Sequence, residues 1–97
     1  MLRKAYLKKL ESRLEDWVDE ISRIRGEAEK AKADMKITYR EQLEVLRSRQ
    51  ERALERIREL RDAGAGNWGK FKSSAEGAVE DLKKAVEDAI AKLRKSA

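Results

Sequence analysis

The chain has 97 residues, and its 24 Lys and Arg against 19 Asp and Glu give a net charge of +5. It contains no Cys, His or Pro. These absences remove disulfides, thiolate nucleophiles, the commonest general base and metal ligand, and the strongest helix breaker. We therefore expect one domain over 1–97 that is not an enzyme and takes no cofactor, metal ion or small-molecule substrate.

Charged residues make up 44% of the chain and hydrophobic residues 40%, and the hydrophobic residues recur at regular helical intervals. This pattern predicts an all-α protein with coiled-coil character. No apolar run approaches the roughly 18 residues of a membrane span. The basic start, Met1–Lys4, is followed by further charged residues instead of a signal-peptide core, so we expect a cytoplasmic protein.

The spacing predicts a long first helix over about residues 2–62. Its first half has apolar side chains alternately three and four positions apart, as in a coiled coil. Gly26 lies inside this helix and costs about 1 kcal/mol relative to Ala. The alternative is therefore a break near Gly26, which would give three helices. The residues of this N-terminal stripe are Leu7, Leu10, Leu14, Trp17, Ile21 and Ile24.

A Gly-rich turn over 63–67 separates this helix from a second one, predicted over 68–95. Gly64 suits the left-handed position after a helix, and Asn67 suits an N-cap. Because the turn is short, the two helices should form an antiparallel helical hairpin. The expected hairpin core consists of Leu43, Leu46, Ile57, Leu60, Phe71, Val79, Leu82, Val86 and Ile90.

The second helix is too short to cover residues 2–34 of the first. An apolar stripe without a partner usually marks an interface. The leading hypothesis is therefore a structural or interaction protein that self-associates through the N-terminal stripe, as a dimer or higher helical bundle. In that case Trp17 should become buried only on association.

The start of the second helix supports an alternative function. Trp68 and Phe71 alternate with Lys70 and Lys72, and such a segment could lie on an anionic membrane surface. The other reading is that the two aromatic residues pack at the end of the hairpin.

Two charged runs are interpreted as solvated helix surface. The acidic run 15–20 has neither a carbonyl-bearing loop nor His to complete a cation site. The arginine run 47–61 is interleaved with Glu and has no base-stacking aromatic residues, so no specific nucleic-acid binding is expected. None of the Ser residues has a neighbouring base that would make it a nucleophile.

Three segments carry a resemblance to known proteins: Ala5–Glu11, Ala28–Tyr39, and the Trp68–Lys72 opening followed by Gly77 and Ala78. With these, the chain resembles the small bacterial coiled-coil domain-containing proteins of unknown function, some of which are associated with stress response. The resemblance implies a helical fold and transfers no catalytic or ligand residues. The segment Ala28–Lys36 and the eleven-residue repeat of the second helix are also similar to the repeats of late-embryogenesis-abundant proteins.

Overall fold

The computed structural model describes residues 2–96 as three helices: α1 (Leu2–Lys30), α2 (Ala33–Asp62) and α3 (Trp68–Ser96). They form an elongated bundle of 51 × 18 × 17 Å. The chain runs up, down and up, so α1 is parallel to α3 and antiparallel to α2. The all-α prediction is confirmed, and the three-helix alternative describes the arrangement.

The prediction of one continuous helix over 2–62 is wrong, and so is the position expected for a break. α1 runs through Gly26 and ends at Lys30. The chain turns at Ala31 and Lys32, where Lys32 has φ −66° and ψ 155°. The break exposes a few helix-end polar groups to water, but it lets α1 fold back and bury its apolar stripe. Tertiary burial therefore overrides local helix propensity at this point.

The second turn follows the predicted boundaries closely. Ala63 ends α2 in an extended conformation, and its amide donates to the Leu60 carbonyl at 3.2 Å. The carbonyl of Asn67 accepts the first bond of α3, from the Phe71 amide at 3.1 Å. No described residue has a positive φ, so the expectation of a left-handed Gly64 is wrong. After the extended Ala63 the chain turns over residues 64–67, where the Asn67 amide donates to the Gly64 carbonyl at 3.1 Å.

One apolar core runs through the bundle, and it receives side chains from all three helices. No polar or charged side chain is buried in the described part of the chain. Ala residues on α3 let the neighbouring helices approach closely. The buried residues are Leu10, Leu14, Ile21, Ile24, Leu46, Ala53, Ile57, Leu60, Ala75, Ala78, Val79, Leu82, Val86, Ala89 and Leu93.

The expected hairpin core falls within this set or at its edge. Six of its nine residues are buried, whereas Leu43, Phe71 and Ile90 are partly buried and pack against the core. Val45 of α2 and Ala85 of α3 line a shared groove, as expected for a hairpin whose turn is centred near residue 65.

Ion pairs connect α1 to both of the other helices. Arg61 of α2 contacts Glu11 at 2.6 Å, and Arg13 contacts Glu80 of α3 at 3.6 Å. The Glu11 carboxylate raises the pKa of Arg61 by accepting its hydrogen bond and by its charge. These partly exposed pairs contribute little to stability, but they are geometrically consistent with α1 lying against both neighbours.

Candidate functional site

The N-terminal stripe lies inside the single chain. Leu10, Leu14, Ile21 and Ile24 are at most 4% exposed. Leu7 and Trp17 are partly buried and pack against the same core. The expectation that Trp17 is buried only on association is therefore wrong, because α1 folds back on α2 and α3. Self-association through this stripe stays a prediction, and it would require α1 to leave the bundle.

The apolar face of α3 is also packed inside the bundle. Val79, Leu82 and Val86 are buried against the other helices, so this face is not free to lie on a membrane while the bundle is closed. The predicted contact residues at the start of α3 are placed differently. Trp68, Phe71 and Lys72 are partly buried and Lys70 is exposed, at one end of the bundle.

At this end the first turns of α1 and of α3 come together, because the two helices are parallel. We call residues 2–10 and 68–75 the basic tip. The basic tip contains Arg3, Lys4, Lys8, Lys9, Lys70 and Lys72. These are six of the 24 basic residues, and the tip has none of the 19 acidic residues. This concentration of charge is not apparent in the sequence, because the two segments lie about sixty residues apart.

Aromatic rings lie among these positive charges. The rings of Tyr6 and Trp68 meet edge to face, with centroids 6.2 Å apart at 72°. The Arg3 guanidinium lies 5.0 Å from the Trp68 ring centroid, and the Lys72 ammonium lies 4.8 Å from that of Tyr6. Both distances are within the range of cation–π attraction. With Leu2, which is 89% exposed, these four side chains line a shallow depression of about 210 Å³.

A hydrogen bond holds the Tyr6 ring in place. Its hydroxyl donates to the carboxylate of Glu76 on α3. Burial raises the pKa of Tyr6 well above that of free tyrosine, and the Glu76 carboxylate adds to the shift through the hydrogen bond and its charge. The hydrogen bond to Glu76 holds the Tyr6 ring in place beneath the ammonium of Lys72.

Acidic groups also border the basic tip, and several have partners within the chain. Glu76 accepts the Tyr6 hydroxyl, Glu11 pairs with Arg61, and Glu59 pairs with Arg56 at 2.9 Å. Glu11 and Glu76 lie beyond the first turns of α1 and α3, and Glu59 lies in the last turn of α2. Asp62, the exposed last residue of α2, lies at the same end of the bundle, but residues 2–10 and 68–75 themselves carry no acidic side chain.

The acidic run, the arginine run and the groove between α1 and α2 have the character of solvated helix surface. No group of three potential metal ligands is found among the described residues, so the acidic run 15–20 does not converge on a cation site there. In the arginine run, Arg47 pairs with Glu44 at 3.6 Å and with Glu51 at 3.8 Å. The groove between α1 and α2 mixes both signs of charge, since Arg25 and Arg40 lie beside Glu29 and Glu44.

Comparisons with known proteins give no relative of this chain. No protein-family model matches it, and searches of curated proteins and of solved structures find no significant match. Within residues 2–96, no helix has both the length and the apolarity needed to cross a bilayer.

Proposed function

We propose that this chain is a non-enzymatic interaction protein that docks, through its basic tip, on the surface of an anionic phospholipid membrane. The observation that carries the proposal is the concentration of six positive charges at one end of the bundle, around Tyr6 and Trp68. The rest of the chain has nearly equal numbers of basic and acidic residues. An anionic surface should therefore attract the basic tip more strongly than the rest of the bundle.

Each Lys or Arg close to an anionic bilayer surface contributes about 1 kcal/mol of attraction. Trp and Tyr favour the headgroup level, where an apolar ring and a polar edge are both accommodated. The exposed Leu2 side chain supplies apolar surface at the outermost point of the tip. This combination supports end-on docking, with the core of the bundle kept closed.

Anionic lipid is concentrated in the cytoplasmic leaflet, so the proposal places the protein in the cytoplasm at the inner face of the membrane. End-on docking replaces the interpretation in which α3 lies flat on the bilayer, because the apolar face of α3 packs in the core.

Co-sedimentation with vesicles tests the proposal. Vesicles containing phosphatidylglycerol should bind the protein at low salt, and neutral phosphatidylcholine vesicles should not. Replacing Lys4, Lys8 and Lys9 with Gln should weaken binding by about a hundredfold, from about 1 kcal/mol per residue.

The matched control replaces three lysines at the opposite end of the bundle, Lys30, Lys36 and Lys95, with Gln. The control has the same net charge as the tip variant. It should bind nearly as tightly as the natural protein. Equal losses in both variants would mean that total charge decides binding, and the basic tip would not be a site. Binding to duplex DNA as tight as to vesicles, at equal salt, would contradict a lipid partner.

A further inference from the structure

We infer that this chain forms a dimer by exchanging α1, in which the break at Ala31 and Lys32 straightens and each α1 occupies the other chain's bundle. The partner is thus a second copy of this chain. The inference is independent of membrane docking. It rests on the local structure of the break and on the apolar stripe of α1.

The break between α1 and α2 has little local support. It lies in the segment Glu29–Ala33, which contains only Glu, Lys and Ala, all good helix formers. Lys32 occupies the N-cap position of α2 and makes no side-chain capping hydrogen bond. Neither turn residue has a positive φ. Lys32 already has a φ compatible with helix, so joining α1 to α2 requires its ψ to change from 155° toward helical values.

Straightening the break would add backbone hydrogen bonds where α1 meets α2, but it would remove apolar side chains from the core of their own chain. A continuous helix satisfies the end amides of α2 and the end carbonyls of α1, which now lack partners within their helices. However, it would remove Leu10, Leu14 and Ile21 from their own core. The surface that fits this stripe is the face formed by α2 and α3, and a second chain offers the same face.

In the exchanged dimer, two long helices run antiparallel, and each α1 lies beside the partner's α2 and α3. Every contact that α1 makes with α2 and α3 in the monomer is then made between chains, whereas the packing of α2 on α3 stays within each chain. A helix over 2–62 would be about 90 Å long at 1.5 Å per residue, compared with 51 Å for the closed bundle. Short connecting segments favour such exchange, and high concentration favours the dimer by mass action.

A proline tests the role of the break. Ala33 is the first residue of α2, where Pro is well tolerated, and Lys32 already has the extended conformation preferred before Pro. Protein refolded at high concentration should contain a species of twice 11.2 kDa by light scattering. Ala33→Pro should abolish this species, and the matched control Ala33→Ser should keep it. A natural chain that stays monomeric after such refolding, or a Pro variant that dimerises equally, would overturn the inference.

A distance measurement identifies the form of the dimer directly. The chain has no Cys, so Lys9→Cys and Arg58→Cys provide two unique label sites, both on exposed residues. These positions share one end of the closed bundle, which is 18 × 17 Å in cross-section. In the exchanged dimer they should lie about 70 Å apart within one chain. Labelled chains are diluted into unlabelled ones before refolding. A short intrachain distance in the isolated dimer would overturn the inference.

Discussion

The hydroxyl of Tyr6 donates a hydrogen bond to the carboxylate of Glu76, which lies 70 positions later in the sequence. The bond connects the second turn of α1 with α3 directly, without α2. It also fixes the Tyr6 ring, which contacts the Trp68 ring and the ammonium of Lys72. This hydrogen bond therefore both joins α1 to α3 and positions the Tyr6 ring in the basic tip.

Tyr6→Phe is expected to lower the free energy of unfolding by about 1 kcal/mol, since it removes one hydrogen bond and leaves the ring. Urea unfolding of Tyr6→Phe, Glu76→Gln and the double variant gives the coupling energy between the two residues. The double variant should cost less than the two single effects together. Strictly additive effects would contradict the bond.

Stability should fall at high pH because of Tyr6. Its pKa is raised in the folded chain above the unfolded value of 10.0, so the protonated phenol favours the folded state. This contribution is complete below the unfolded pKa and is lost as the pH rises through the folded pKa. In a Tyr39→Phe background, tyrosinate absorbance should report the ionisation of Tyr6 alone. Ionisation at the pH of free tyrosine would contradict the hydrogen bond to Glu76.

Leu82→Ala should destabilise the protein by about 2–5 kcal/mol, because Leu82 is fully buried where the three helices meet and its truncation leaves a cavity. The matched control is Leu54→Ala on α2. Leu54 is 38% exposed, so its truncation should cost less than about 1 kcal/mol. Thermal unfolding followed by circular dichroism measures both. Similar losses for the two variants would contradict the packing of the core.

Trp17 should emit as a partly shielded indole even in dilute, monomeric protein, because it packs against the core of its own chain. The Trp68→Phe variant isolates its fluorescence. The emission should stay constant on dilution and shift to longer wavelength only on unfolding. An emission typical of water-exposed indole in the folded monomer would mean that α1 is not docked on α2 and α3.

Part of the basic tip was visible in the sequence. Trp68, Lys70, Phe71 and Lys72 form a local cluster, and their spacing alone indicated a candidate surface contact. The sequence does not connect Tyr6 and Arg3 with this cluster, because nothing in a single sequence shows that the start of α1 lies beside the start of α3. The only signal that could have found them is the run of positive charge over residues 3–9, which has no acidic residue.

The sequence by itself determined the helical class, the turn over 63–67 and the packing of α2 on α3. These follow from apolar spacing, the lack of Pro and a Gly-rich segment, all of which act locally. Only the tertiary structure decided where the first helix breaks. Residues 29–33 favour helix on their own, and they turn because folding back buries Leu10, Leu14, Ile21 and Ile24. That burial depends on the faces of α2 and α3, which exist only once those helices have packed.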